Sequence, residues 1–124
     1  MKIIVDTHVF LWSLAEPARI SAPNRRKIES MANIVYVSAV SIAEIAIKAS
    51  LGKLKLEFDP VQQAKGSGFE MLDFRGEDAL LLKDLPFHHK DPFDRMLIAQ
   101  SIANNCYIMS DDVKFLLYDC KLLA

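Results

Sequence analysis

The stretch Lys2–His8, "KIIVDTH", decides the fold. Ile3, Ile4 and Val5 run without a polar residue between them. A strand with one wet face alternates, whereas an unbroken β-branched run marks a strand covered on both faces, the habit of parallel sheets. The run stops at Asp6-Thr7, and an apolar segment follows to Leu14, before Pro17. This is a strand, a turn carrying a carboxylate, and a short helix. The pattern recurs outward along the chain. "NIVYVS" at Asn33–Ser38 is a second strand, followed by a helix to Gly52, a natural C-terminal stop. "FEMLDF" at Phe69–Phe74 is a third, and "CYIM" at Cys106–Met109 a fourth, meeting "SDD" at Ser110–Asp112. Between them, Ser21 with Pro23 opens a helix through about Ser30. Asp59-Pro60 opens one that Gly66 and Gly68 close. Glu77–Asp84 reads as a helix ended by Pro86, and Asp91-Pro92 opens one to Asn104-Asn105. The tail carries a short helix and a last strand near Lys121–Leu123.

Strands alternating with helices predict a three-layer α/β/α fold over a parallel sheet of about five strands. Residues 1–124 are read as one domain, an ordinary length for one. In such sheets ligands sit at the carboxyl ends of the strands. Asp6 ends the first strand and Asp111-Asp112 end the fourth, so neighbouring strands would bring these carboxylates into one crevice.

Hydrophobic residues make up 52% of the chain, enough for a sizeable core with some surplus for a subunit interface. With 15 basic and 16 acidic residues there is no global positive field for nucleic acid. Local basic clusters at Arg25-Arg26-Lys27 and along Lys48, Lys53 and Lys55 read as solvated faces. Cys106 and Cys120 lack zinc-site spacing, which suits a reduced, cytoplasmic chain. No signal peptide or membrane span is expected.

Each acid has a purely structural alternative. Asp6 could cap the turn after its strand. Glu44 could close a capping box opened by Ser41, a role that weakens if the helix begins nearer Ser38. Asp94 could be a dipole-favouring acid in the first turn, with Asp91 as N-cap and Pro92 the first helical residue. One of Asp111 and Asp112 could cap the helix that follows. Taken together, two acids follow strands and two lie near helix starts, ends that share one face of a parallel sheet. Carboxylates held close raise one another's pKa values, and a divalent cation relieves the repulsion. Oxygen-only donors select Mg2+ or Mn2+, and such a site suits phosphodiester hydrolysis.

Four blocks in order, "IIVDTHVFLW" at Ile3–Trp12, "VSAVSIAEIAIK" at Val37–Lys48, "HKDPFDRMLIAQ" at His89–Gln100 and "YIMSDD" at Tyr107–Asp112, resemble the PIN domain family, and within it the VapC-type toxin ribonucleases of toxin–antitoxin pairs. The resemblance covers nearly the whole chain. It places the family's acids on Asp6, Glu44, Asp94 and Asp112, the last because it stands two residues after Ser110. It implies strand order 3-2-1-4-5, a magnesium-dependent endoribonuclease, a homodimer, and an antitoxin whose tail inhibits the site.

Thr7 and Ser110 are either turn residues or hydrogen-bond to the metal's ligands and waters, as Asp91 and Asp111 could. His8, His88 and His89 are expected at the surface, with RNA contact as the alternative. Arg95 is expected in an ion pair with a nearby acid, or against an RNA phosphate. Phe10, Trp12 and Phe93 are expected in the core or the dimer interface. Two other functions compete. A phosphoaspartate protein would need a second acid close to Asp6, and position 8 is His. A non-catalytic scaffold with this fold would not need the intact acid set.

Overall fold

The computed structural model describes all 124 residues. Five parallel strands form one sheet: β1 (Lys2–Val5), β2 (Ile34–Ser38), β3 (Glu70–Leu72), β4 (Tyr107–Met109) and β5 (Lys121–Leu123), in the order β3-β2-β1-β4-β5. The helices are α1 (Thr7–Ala15), α2 (Ala22–Glu29), α3 (Ala39–Ser50), α4 (Pro60–Gly66), α5 (Gly76–Leu80) and α6 (Pro92–Ala103). Short 3-10 turns lie at Pro17–Arg19, Leu81–Asp84 and Val113–Leu117.

The unbroken run of β1 has the expected cause. Ile3, Ile4 and Val5 are all fully buried. Ile3 and Val5 join Val9, Phe10, Val37, Ala64 and Phe69 on one side of the sheet. Ile4 joins Leu97, Ile98, Ile108, Phe115 and Tyr118 on the other. Side chains alternate across a strand, so a residue pair of either parity must be apolar when both faces are covered.

The register positions the site. Val5 pairs with Val37 of β2 and with Met109 of β4. The next residues along, Asp6, Ser38 and Ser110, therefore emerge side by side at the carboxyl edge. The Asp6 N–H donates to Met109 O at 3.0 Å, extending the ladder one step.

Local differences from the sequence reading have local causes. The third strand narrows to Glu70–Leu72. The helix expected over Glu77–Asp84 starts at Gly76 and tightens into a 3-10 turn after Leu80. α6 ends as expected, with Asn105 in the left-handed region at φ 52°, where Asn is tolerated better than most residues. No helix is long and apolar enough to cross a membrane.

Candidate active site

Asp6 caps α1. Its Oδ1 accepts from Val9 N at 2.8 Å, and the carboxyl is buried at the start of α1. Burial pushes its pKa up, against the Ser110 hydroxyl, the Val9 N–H and His8, while the charge of Asp111 raises it further.

Ser38, not Ser41, caps α3, accepting from Val40 N at 3.0 Å. The box between Ser41 and Glu44 therefore does not form. Glu44 lies one turn deeper and only 2% exposed. Thr7 Oγ1 lies 2.7 Å from Glu44 Oε1 and 2.9 Å from Ser41 Oγ. Thr7 has one proton, which serves the carboxylate, leaving the Ser41 hydroxyl to donate to Thr7. Lys48, one turn on, donates to Glu44 Oε2 at 2.6 Å. That bond chiefly raises the lysine's pKa, with the charges of Asp91 and Asp94 adding to it. Lys48 thus belongs to the site rather than to a solvated face; a Glu-to-Lys spacing of four on α3 was the available signal.

Asp91 caps α6 as read, its Oδ1 accepting from Phe93 N at 2.8 Å and Asp94 N at 3.1 Å. Asp94 is released from capping and turns into the crevice. Burial, then the charge of Asp91, pushes its carboxyl up to about 7, with Asp6 and Glu44 adding to the rise. An aspartate balanced near neutrality, here set first by burial and then by neighbouring carboxylates, is a feature of functional sites.

Asp112 caps the last 3-10 turn through Lys114 N at 2.9 Å. Burial acts to raise its pKa but is outweighed by the Lys114 N–H and by His89, so the carboxyl stays below its usual range. Asp111 and Asp112, with His8, Trp12 and Arg19, line an open cleft of about 510 Å³. Arg19 lies over the Trp12 ring at 4.5 Å.

Two more expectations fail. His89 is not at the surface but 6% exposed, its Nε2 3.0 Å from both Asp94 Oδ2 and Asp112 Oδ2. Tyr118 explains the burial: its hydroxyl accepts the His88 and His89 backbone N–H groups at 3.1 and 2.8 Å and draws the loop inward. Arg95 makes no ion pair and is not free for RNA. It is 9% exposed, donates to Pro86 O at 2.8 Å and Tyr118 Oη at 3.2 Å, and stacks on Phe87 at 4.3 Å. Its target was a carbonyl created by the preceding loop, which sequence spacing does not reveal.

The family model for the PIN domain matches residues 3–119. The chain belongs to the PIN domain family. No curated protein sequence matches it. Among solved structures, it is similar to VapBC2 from Rickettsia felis bound to a promoter DNA fragment, with 17% identity and TM-score 0.73 over 99% of this chain and 98% of that one. It is also similar to FitAcB from Neisseria gonorrhoeae, with 17% identity and TM-score 0.66 over 98% and 96%. A third is VapBC-5 from Mycobacterium tuberculosis, of the VapBC family of toxin-antitoxin systems, with 16% identity and TM-score 0.59 over 98% and 95%. At these identities the similarity is one of fold, and the strand order is the one expected for a PIN domain.

Proposed function

We propose that this PIN domain is a divalent-cation-dependent endoribonuclease, the VapC-type toxin of a toxin–antitoxin pair. The observation that supports it best is Asp94 in the crevice, raised to about 7 by burial and then by the charges of Asp91, Asp6 and Glu44, with Asp112 beside it across His89. The donor set fits a hard cation. Its acids offer carboxylate oxygens, and Cys106 lies at the opposite, amino end of β4. Asp6, Asp94 and Asp112 would hold Mg2+ or Mn2+, with Glu44 completing the set. A cation bound there supplies a Lewis acid that lowers the pKa of a water and neutralises charge developing on the phosphate.

The chain's own residues do the positioning. Val9 N–H and the helix start fix Asp6, Thr7 and Lys48 fix Glu44, and Asp91 frees Asp94 by taking over the cap. The adjoining cleft offers a cation, Arg19, and an aromatic, Trp12, suited to a single strand's phosphates and bases. Asp111 sits at its rim.

The same reading gives the chain protein partners, an antitoxin and a second copy of itself. Phe87, Val113, Leu116 and Leu117 are exposed apolar residues that such partners would cover. The VapBC complexes among the similar folds support the antitoxin.

The test is a panel of isosteric changes. Asp6→Asn, Glu44→Gln, Asp94→Asn and Asp112→Asn should each lower RNA cleavage at least tenfold while the chain stays folded. A panel in which every variant cleaves like the wild type would dismiss the nuclease reading.

A further inference from the structure

Resting on the nuclease reading, we infer that His89 is a positioning residue that fixes Asp112 as a hydrogen-bond donor and packs its Nε2 against Asp94, and is not a ligand of the cation. One buried imidazole nitrogen equidistant from two carboxylates has the outline of a metal site, since the three ligand atoms lie within 4.8 Å of one another. The other ring nitrogen argues otherwise. Nδ1 accepts from the Asp91 backbone N–H at 3.2 Å. A group pointing its N–H at Nδ1 requires a lone pair there. With a lone pair on Nδ1 the ring proton sits on Nε2, where it reaches Asp112 Oδ2 while Asp94 Oδ2 lies at the same distance. A ligating Nε2 would need its own lone pair free, and a ligating histidine donates from its other nitrogen instead of accepting there.

His89 is held at both backbone and ring. The His89 N–H is bound by Tyr118, and the ring meets Phe115 edge-on at 6.0 Å. Phe115 and Tyr118 belong to the segment just after Asp112, while Asp91 opens the helix that carries Asp94. His89 thus ties together the two pieces of chain that deliver these acids. With Lys114 N–H on Asp112 Oδ1 and His89 on Oδ2, the orientation of that carboxylate is fixed. The His89 Nε2 also lies 3.0 Å from Asp94 Oδ2, so the ring keeps the two acids within reach of one another without occupying a coordination position.

The test uses the full-length chain, stripped with chelator and titrated with Mn2+. His89→Phe fills the space without a donor, and His89→Gln restores an N–H at similar reach. Calorimetry should show His89→Phe binding Mn2+ about 10- to 100-fold more weakly, the usual cost of losing a partner that orients a ligand. His89→Gln should recover most of that loss. Electron spin echo spectra of Mn2+ bound to the wild type should show no directly coordinated nitrogen. A nitrogen coupling that disappears in His89→Phe would make His89 a ligand and overturn the inference. So would Mn2+ binding by His89→Phe equal to or tighter than wild type, or a Gln variant no better than Phe. If His89→Phe does not fold, the Gln variant and the wild-type spectrum still decide. A wild-type chain that binds no Mn2+ at all would instead overturn the nuclease reading beneath it.

Discussion

Replacing Asp94 with Asn should stabilise the metal-free protein while abolishing cleavage. A carboxyl raised from 3.8 to about 7 keeps its proton in the folded chain where an unfolded aspartate releases it. Between those pH values the folded state binds more protons than the unfolded one, so stability falls as pH rises from about 4 to about 7. At about 1.36 kcal/mol per pH unit, the full loss reaches a ceiling of about 4 kcal/mol. Asn imitates the protonated form and escapes this loss. At pH 8 in chelator, Asp94→Asn should therefore be about 1 to 4 kcal/mol more stable than wild type. That corresponds to a Tm higher by about 4 °C per kcal/mol for a chain of this length. At pH 4 the two should melt together. Excess Mg2+ should close the gap at pH 8 by stabilising the wild type alone. The assay is thermal melting at both pH values, with and without Mg2+. An Asn variant that melts lower than wild type at pH 8, or a gap that does not change with pH, would refute the reasoning.

Asp91→Asn should be nearly silent in melting, because Asn caps as well as Asp, whereas Asp91→Ala should cost about 1 kcal/mol. Thr7→Val should cost about 1–3 kcal/mol by stripping the buried Glu44 carboxylate of a donor, and should lower cleavage; unchanged values of both would remove Thr7 from the site. Arg95→Lys should lose the Pro86 bond and the stack on Phe87, costing about 1–3 kcal/mol in denaturant melts. RNA affinity measured by fluorescence anisotropy should not change; a selective loss of affinity would return Arg95 to the RNA surface.

The sheet was legible because its signal is short-range. Three apolar residues in a row at β1, and cap residues such as Asp59, Asp91 and Gly52, act within a few positions of themselves. The N-cap role of Asp91 was readable for the same reason. What escaped depended on distant partners. His89 is buried because Tyr118, 29 residues on, binds its backbone. Arg95 is neutralised by no acid because the loop before it folds Pro86 O within reach. The capping box at Ser41 matched a local pattern, but Thr7 on another helix claims the hydroxyl and the carboxylate that the box would have used. Local patterns name the residues, and tertiary contact assigns them.

The most direct measurement is RNA cleavage by the purified wild-type chain in excess chelator, then after Mg2+ or Mn2+ is restored. A divalent-cation-dependent nuclease is silent in chelator and recovers on addition of the cation, while Asp94→Asn in the same preparation stays silent throughout. Cleavage that continues undiminished in chelator, or that Asp94→Asn shares, would contradict the account.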